Sequence, residues 1–330
     1  MLLPRENRRG ESITRRDALG QGVAAATALA SGRLAHAVEP AVGDKAKKGC
    51  TLGFSTYGMK TLKVEEAVNT VAEIGYDAIE IAARPDWDSA PNRMSATRRA
   101  TVRRSLEASG LKLVSLMEHL IPSANEKEHA AQLNRLAGVF ELAGDLSAGE
   151  KPLMQTVLGG GKWDEKRDFF RDRLGDWLEL ARKHEIVIAV KPHRGGGMSR
   201  PSEALWLMKQ LGRPRWLRMV YDYSHYAYRD LPLDQTIAAA APYAAHVAVK
   251  DAVRQNGRVV FKLPGETGEI DFARIIKKFH DAGYQGDFNC EVSSMVSSKP
   301  GYDPRAAAKT CYANMSQAFR KSGVKRASKV

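Results

Sequence analysis

Acidic, basic and imidazole side chains recur in this chain at one kind of place, in or just after short apolar runs. Glu118-His119 follow Leu113–Met117, Lys191-Pro192-His193-Arg194 follow Ile186–Val190, and Asp222-Tyr223-Ser224-His225 follow Arg218–Tyr221. Lys250-Asp251 follow His246–Val249, while Glu80 and Glu291 lie inside the runs Ala78–Ala82 and Phe288–Val292. Carboxylates and imidazoles gathered in one cleft can move protons, and a lysine or arginine beside them can stabilise an oxyanion as it forms. Any one of His119, His193, His225 and His246 could be an ordinary buried group paired with a neighbour. Convergence of all four on one face would make a site.

Something must hold these groups together. Eight runs, the six above plus Thr51–Phe54 and Leu153–Leu158, are short and mostly apolar. That is how strands buried on both faces read. Between them lie amphipathic stretches with helix punctuation. Val64 to Ile74 stops at Gly75, Ser95 to Ser109 stops at Gly110, and Asp164 to His184 starts on a candidate cap, Asp164. Pro201 and Asp271 open two more. Strands alternating with helices imply a parallel sheet with right-handed crossovers. No G-x-G-x-x-G follows the first strand, and the span from Cys50 to Gly323 is close to the roughly 250 residues of a closed barrel. The expected fold is therefore α/β, a single (β/α)8 TIM barrel, with its chemistry where the strands end. Gly159-Gly160-Gly161 and Gly195-Gly196-Gly197 follow strands four and five as weak phosphate-loop signals or as plain turns.

The ends of the chain read differently. Residues 1–37 are expected to be a signal peptide of the twin-arginine type. Arg15-Arg16 precede a mild apolar run, Val23 to Ala30, and Ala35-His36-Ala37 forms a small-x-small cleavage site. Residues 38–49 read as a flexible leader, 50–323 as the barrel and 324–330 as a basic tail. The expectation is an exported, periplasmic protein. Its partners are the Tat machinery during export and no membrane after cleavage; an oligomer is allowed. The formal charge of +13 is scattered along helices rather than gathered in a stripe, so no nucleic-acid partner is expected. Three cysteines, Cys50, Cys290 and Cys311, are too few and too far apart for a disulfide framework or zinc finger.

At the strand ends the chain resembles a known family, the xylose isomerase-like TIM barrels, or sugar phosphate isomerases/epimerases, over nearly all of residues 50–322. The marks are Gly75-Tyr76-Asp77-Ala78-Ile79-Glu80, Asp222-Tyr223-Ser224-His225, His246-Val247-Ala248-Val249-Lys250-Asp251, and Pro264-Gly265-Glu266-Thr267-Gly268-Glu269-Ile270-Asp271-Phe272. The resemblance implies a divalent metal, often manganese, held by Glu, Asp, His and Glu from strands five to eight. The metal grips two sugar oxygens while the two Glu exchange a carbon-bound proton through an enediolate. Asp222 and Glu291 match. Lys191 stands at the strand-five Glu and Ala248 at the strand-seven His. His246 is two residues short of Ala248, roughly 6–7 Å along the strand, and cannot take its place. Any rebuilt metal set is Asp222, Glu291 and His193.

The expected roles follow. Glu291 is the base, and the Lys191 ammonium stands in for the missing cation, near Asp222 or Glu291. His225 and Arg254 match the family's substrate contacts and are expected to bind hydroxyls, with His193, Glu118 and Lys250 in the same pocket. The expected activity is isomerisation or epimerisation of a small-molecule carbohydrate. An exported enzyme would meet a non-phosphorylated sugar or keto-sugar. The alternatives are a catalytically silent carbohydrate-binding barrel and a lyase acting on 3-keto-glycosides. A nuclease of the family's other branch needs three metals and a larger ligand set than this chain carries.

Overall fold

The computed structural model describes residues 49–327. The signal peptide and nearly all of the leader lie outside the described residues. Eight parallel strands close into a barrel in the order β1-β10-β7-β6-β5-β4-β3-β2, the expected (β/α)8 fold. They are β1 (Thr51–Ser55), β2 (Ala78–Ala82), β3 (Lys112–Met117), β4 (Leu153–Thr156), β5 (Ile188–Val190), β6 (Leu217–Tyr221), β7 (Ala244–Val249) and β10 (Asp287–Cys290). Between β7 and β10 a separate antiparallel hairpin is made by β8 (Asp251–Gln255) and β9 (Arg258–Lys262). The surrounding helices are α1 (Val64–Ile74), α2 (Ala96–Ser109), α3 (Glu126–Leu146), α4 (Trp163–His184), α5 (Pro201–Gln210), α6 (Leu233–Ala240), α7 (Phe272–Asp281), α8 (Ser294–Ser297) and α9 (Pro304–Ser322).

Local sequence explains most boundaries. Gly75 ends α1 at φ 101°, a left-handed geometry that favours glycine. α4 begins one residue earlier than its expected cap. Lys162 is the N-cap, and Asp164 and Glu165 lie in the first turn, where their charge suits the helix dipole. β10 stops at Cys290, so Glu291 stands just past the strand rather than on it.

Strand alternation sorts side chains into two environments. One face of each strand packs against the helices in the main core. On the other face Ala189, Val220 and Ala248 form a small separate cluster with Leu153. Two residues further along the same strands come Lys191, Asp222 and Lys250. Small side chains below and charged ones above leave room for long side chains to meet.

The interior also holds a second polar layer. The buried Glu80 carboxylate accepts from Ser55 Oγ at 2.6 Å and from Gln155 Nε2. His246 lies between Glu80, at 3.4 Å from its Nε2, and Asp287, which touches its Nδ1. At the base of the barrel Arg326 forks onto Asp77, with both bonds at 2.7 Å, and Cys50 pairs with Arg326 in a parallel bridge. Among the described residues no helix is long and apolar enough to cross a membrane.

Candidate active site

Four side chains meet beyond the carboxyl ends of β5, β6, β7 and β10. Lys250 Nζ lies 2.6 Å from Glu291 Oε1 and 3.2 Å from Asp222 Oδ2. Lys191 Nζ donates to Glu291 Oε2 and lies 3.9 Å from Asp222 Oδ2. All four are buried, with Lys191 only 3% and Lys250 4% exposed. Two ammonium groups and two carboxylates thus form a neutral quartet away from water. Burial opposes the Glu291 charge, yet Lys191 and Lys250 together hold its carboxyl well below the usual range. Burial likewise opposes the Lys250 charge, and Asp222 and Glu291 raise it regardless. Asp222 is fixed through its other oxygen, which accepts from Ser224 N at 3.1 Å and from Ser224 Oγ at 2.5 Å.

Two imidazoles stand beside the quartet. The His193 and His225 rings are 4.0 Å apart, and His225 Nε2 is 3.4 Å from Asp222 Oδ2. Burial first, then Lys250, pushes His225 well below its ordinary value and His193 down to about 4. Both are neutral at pH 7. His193 Nδ1 accepts from Gly195 N at 3.3 Å, so its proton is on Nε2. The β8–β9 hairpin covers this group. The Phe261 ring centroid lies 5.1 Å from the Lys250 ammonium, and the ring packs edge-on against His225.

A further imidazole enters from β3. Arg84 Nη1 is 2.7 Å from His119 Nδ1. Arginine only donates, so Nδ1 is the acceptor and a neutral His119 carries its proton on Nε2. Burial first, then Arg84, pushes this imidazole down to about 3, with Lys191, Glu291 and His193 also near enough to act on it. Arg84 itself stacks over Trp87, which is stacked on Tyr57 at 5.3 Å.

The expected residues therefore divide. Lys191, Asp222, Lys250, Glu291, His193 and His225 come together. Lys250, expected only as a substrate contact, is a second bridge between the carboxylates and equal in place to Lys191. Glu118 does not join them. It is fully buried and engaged by Arg135 from α3, and burial pushes its carboxyl up to about 6. Arg254 lies on the exposed side of the hairpin, stacked on Tyr228 and donating to its carbonyl at 2.8 Å. The hairpin itself carries a signal in the sequence, Asn256-Gly257 between two alternating runs. Both residues have positive φ, 50° and 74°, as a two-residue hairpin turn requires. Among the described residues no three His, Cys, Asp or Glu side chains are grouped as a metal would need. The rebuilt set of Asp222, Glu291 and His193 is not assembled, because the lysines lie where it would converge.

Comparison with known proteins agrees with the fold. The model of the xylose isomerase-like TIM barrel family matches residues 68–314. L-ribulose-5-phosphate 3-epimerase UlaE of Salmonella paratyphi A is 27% identical over 156 residues, covering 47% of this chain and 53% of that protein. The chain thus spans about half the length of that curated relative. Among solved structures, 3-keto-D-glucoside 4-epimerase YcjR from E. coli superposes with a TM-score of 0.65 at 16% identity, over 82% of this chain and 99% of that one. The IolI protein superposes at 0.69, also with 16% identity and over 82% and 99% of the two chains. At these identities the likeness shows the fold. IolI was solved with a bound zinc atom, and family members bind divalent metals.

Proposed function

The chain belongs to the xylose isomerase-like TIM barrel family, and we propose on that footing that it is a sugar isomerase or epimerase. Its substrate is a non-phosphorylated sugar or keto-sugar, and Lys191 and Lys250 act where relatives use a metal. The observation that carries this reading is the pair of ammonium groups between Asp222 and Glu291. A divalent ion does not fit this donor set. Two of the four family ligand positions are lysine and alanine, both remaining carboxylates are already ion-paired, and an ammonium repels a cation.

Two ammonium groups supply the same total charge as one divalent ion, spread over two points. When a keto-sugar enters, its carbonyl and adjacent hydroxyl accept hydrogen bonds from Lys191 and Lys250. That contact draws the lysines off Glu291 and restores its basicity. Glu291 then removes the proton from the carbon beside the carbonyl, and the electron pair moves to the carbonyl oxygen. The lysines stabilise the enediolate oxyanion in a site with little water. Return of the proton by Glu291 to the neighbouring carbon, with the hydroxyl proton passing to the former carbonyl oxygen, completes isomerisation; epimerisation instead requires a second acid that delivers a proton to the opposite face. His193 and His119, both neutral, offer Nε2–H groups to the substrate oxygens.

A second reading has its own observation. The quartet neutralises itself and lies beneath Phe261, which also suits a barrel that binds sugar without transforming it. Proton exchange separates the two. In D2O the purified protein is expected to exchange a carbon-bound proton of D-fructose or a 3-keto-D-glucoside, followed by NMR, equally before and after exhaustive chelation. Binding without exchange would leave the silent reading. Exchange lost on chelation and restored by manganese would sink the lysine mechanism.

Export through the twin-arginine route belongs to the same proposal, since it argues against phosphorylated substrates kept inside the cell. Arg15→Lys with Arg16→Lys is expected to leave the protein in the cytoplasm, read by fractionation. Periplasmic delivery of the double variant would refute it.

A further inference from the structure

Three arginines surround the loop after β6, and none of them has a carboxylate partner. Arg194 Nη2 donates to the carbonyls of Ser224, at 3.3 Å, and Ala227. Arg229 donates to Ser199 O at 2.9 Å, Ser199 Oγ at 3.1 Å and His225 O at 3.4 Å. Arg254 donates to Tyr228 O at 2.8 Å. Among the described residues none of the three forms an ion pair. Arg194 and Arg229 are half-buried, and Arg194 Nε is a buried donor with no partner. All three donate to carbonyls of the segment from Ser224 to Tyr228, and burial first, then Arg229 and Arg254, lowers the Arg194 pKa.

Two acids that act on them are committed. Asp222 acts on Arg194 but is held by Lys250 and Ser224. Glu203 acts on Arg229, yet its Oε2 accepts from Ser199 N at 2.5 Å and Arg200 N at 3.0 Å. The quartet of Lys191, Lys250, Asp222 and Glu291 is neutral as a whole. No carboxylate among the described residues pairs with these three guanidinium groups, and a buried guanidinium donor without an acceptor is costly unless something supplies one.

We propose that Arg194, Arg229 and Arg254 form an anion subsite that takes the carboxylate of the substrate, so that the ligand is a sugar acid. The assignment deepens the isomerase reading and rests on it for the substrate class. Guanidinium forks match planar carboxylates in two-point contacts. Phosphate would also fit arginine, but phosphate sites usually add backbone N–H groups, and those of the glycine triplet and of the start of α5 are spent. Gly195 N donates to His193 Nδ1 at 3.3 Å, Gly196 N to His193 O at 2.8 Å, and Gly197 N to Gly159 O at 2.7 Å. At the start of α5, Ser199 N and Arg200 N are taken by Glu203, and Pro201 has no N–H. The glycine triplet after β5 is thus a turn and not a phosphate cradle.

The test is binding, independent of turnover. D-gluconate, D-glucuronate, D-glucose and D-glucose 6-phosphate are titrated into the full-length mature protein by calorimetry. At least one sugar acid is expected to bind about tenfold or more tighter than glucose, with a preference that weakens as salt rises. Arg194→Gln and Arg229→Gln are expected to remove that preference while leaving glucose binding unchanged. Arg254→Gln, at an exposed position, is expected to reduce it and guards against a misfolded interior variant; circular dichroism checks each fold. Equal binding of acids and glucose, a preference untouched by the arginine variants, or no binding by any of the four overturns the subsite. Tighter binding of the 6-phosphate than of either acid overturns the carboxylate assignment. Proton exchange on neutral keto-sugars remains a separate measurement, so the subsite can fail while the isomerase reading stands, and the reverse.

Discussion

Lys250→Met is expected to destabilise the protein by about 3–5 kcal/mol, the cost of leaving a buried charge without its partner. Lys250 is the closer bridge, 2.6 Å from Glu291 and 3.2 Å from Asp222. Without it the only cation left near Asp222 among the described residues is Lys191, at 3.9 Å, and two buried carboxylates share one positive charge. Asp222 has no route to water, being fully buried. The loss is read as a fall in the urea midpoint. Pairing Lys250→Met with Glu291→Gln is expected to recover part of it, because the second change removes the charge left over. A single variant within about 1 kcal/mol of wild type would show that the quartet is not the buried ionic unit described here. The same variant is expected to lower proton exchange by about a hundredfold or more, the size seen when one oxyanion donor is removed.

His246→Leu is expected to cost a similar amount, about 3–5 kcal/mol, for the same reason in a different layer. The imidazole is fully buried between Glu80 and Asp287, and leucine leaves both carboxylates facing each other. His246→Gln keeps hydrogen bonding and is expected to fall between. The histidine also predicts a pH dependence. Burial works against its charge, but Asp287 first and Glu80 next prevail, so its pKa is raised on folding. Its contribution is complete below the unfolded value of about 6.5 and fades as pH rises through the folded value. Wild type minus His246→Leu should therefore shrink toward alkaline pH. A gap that grows with pH would mean that the ring is neutral in the native state.

Much of the architecture was legible in the chain itself. Eight apolar runs, glycines after helices and the lack of a dinucleotide loop are local features. A strand buried on both faces has few other ways to read. The departures at Lys191 and Ala248 were also legible, because strand spacing places them at two ligand positions. What spacing could not tell was where long side chains end. A lysine reaches over 6 Å from its backbone, so Lys250 was placed in the pocket while its bond to both carboxylates stayed hidden. Glu118 shared its place at a strand end with the others, yet Arg135 on α3, seventeen residues later, turns it to another use. Arg254 and Phe261 depended on a hairpin that folds back over the barrel mouth. Composition and periodicity determined the barrel and which residues reach its open end. Only tertiary contacts decided which charges neutralise one another, because ion pairing depends on distances between strands that are remote in sequence.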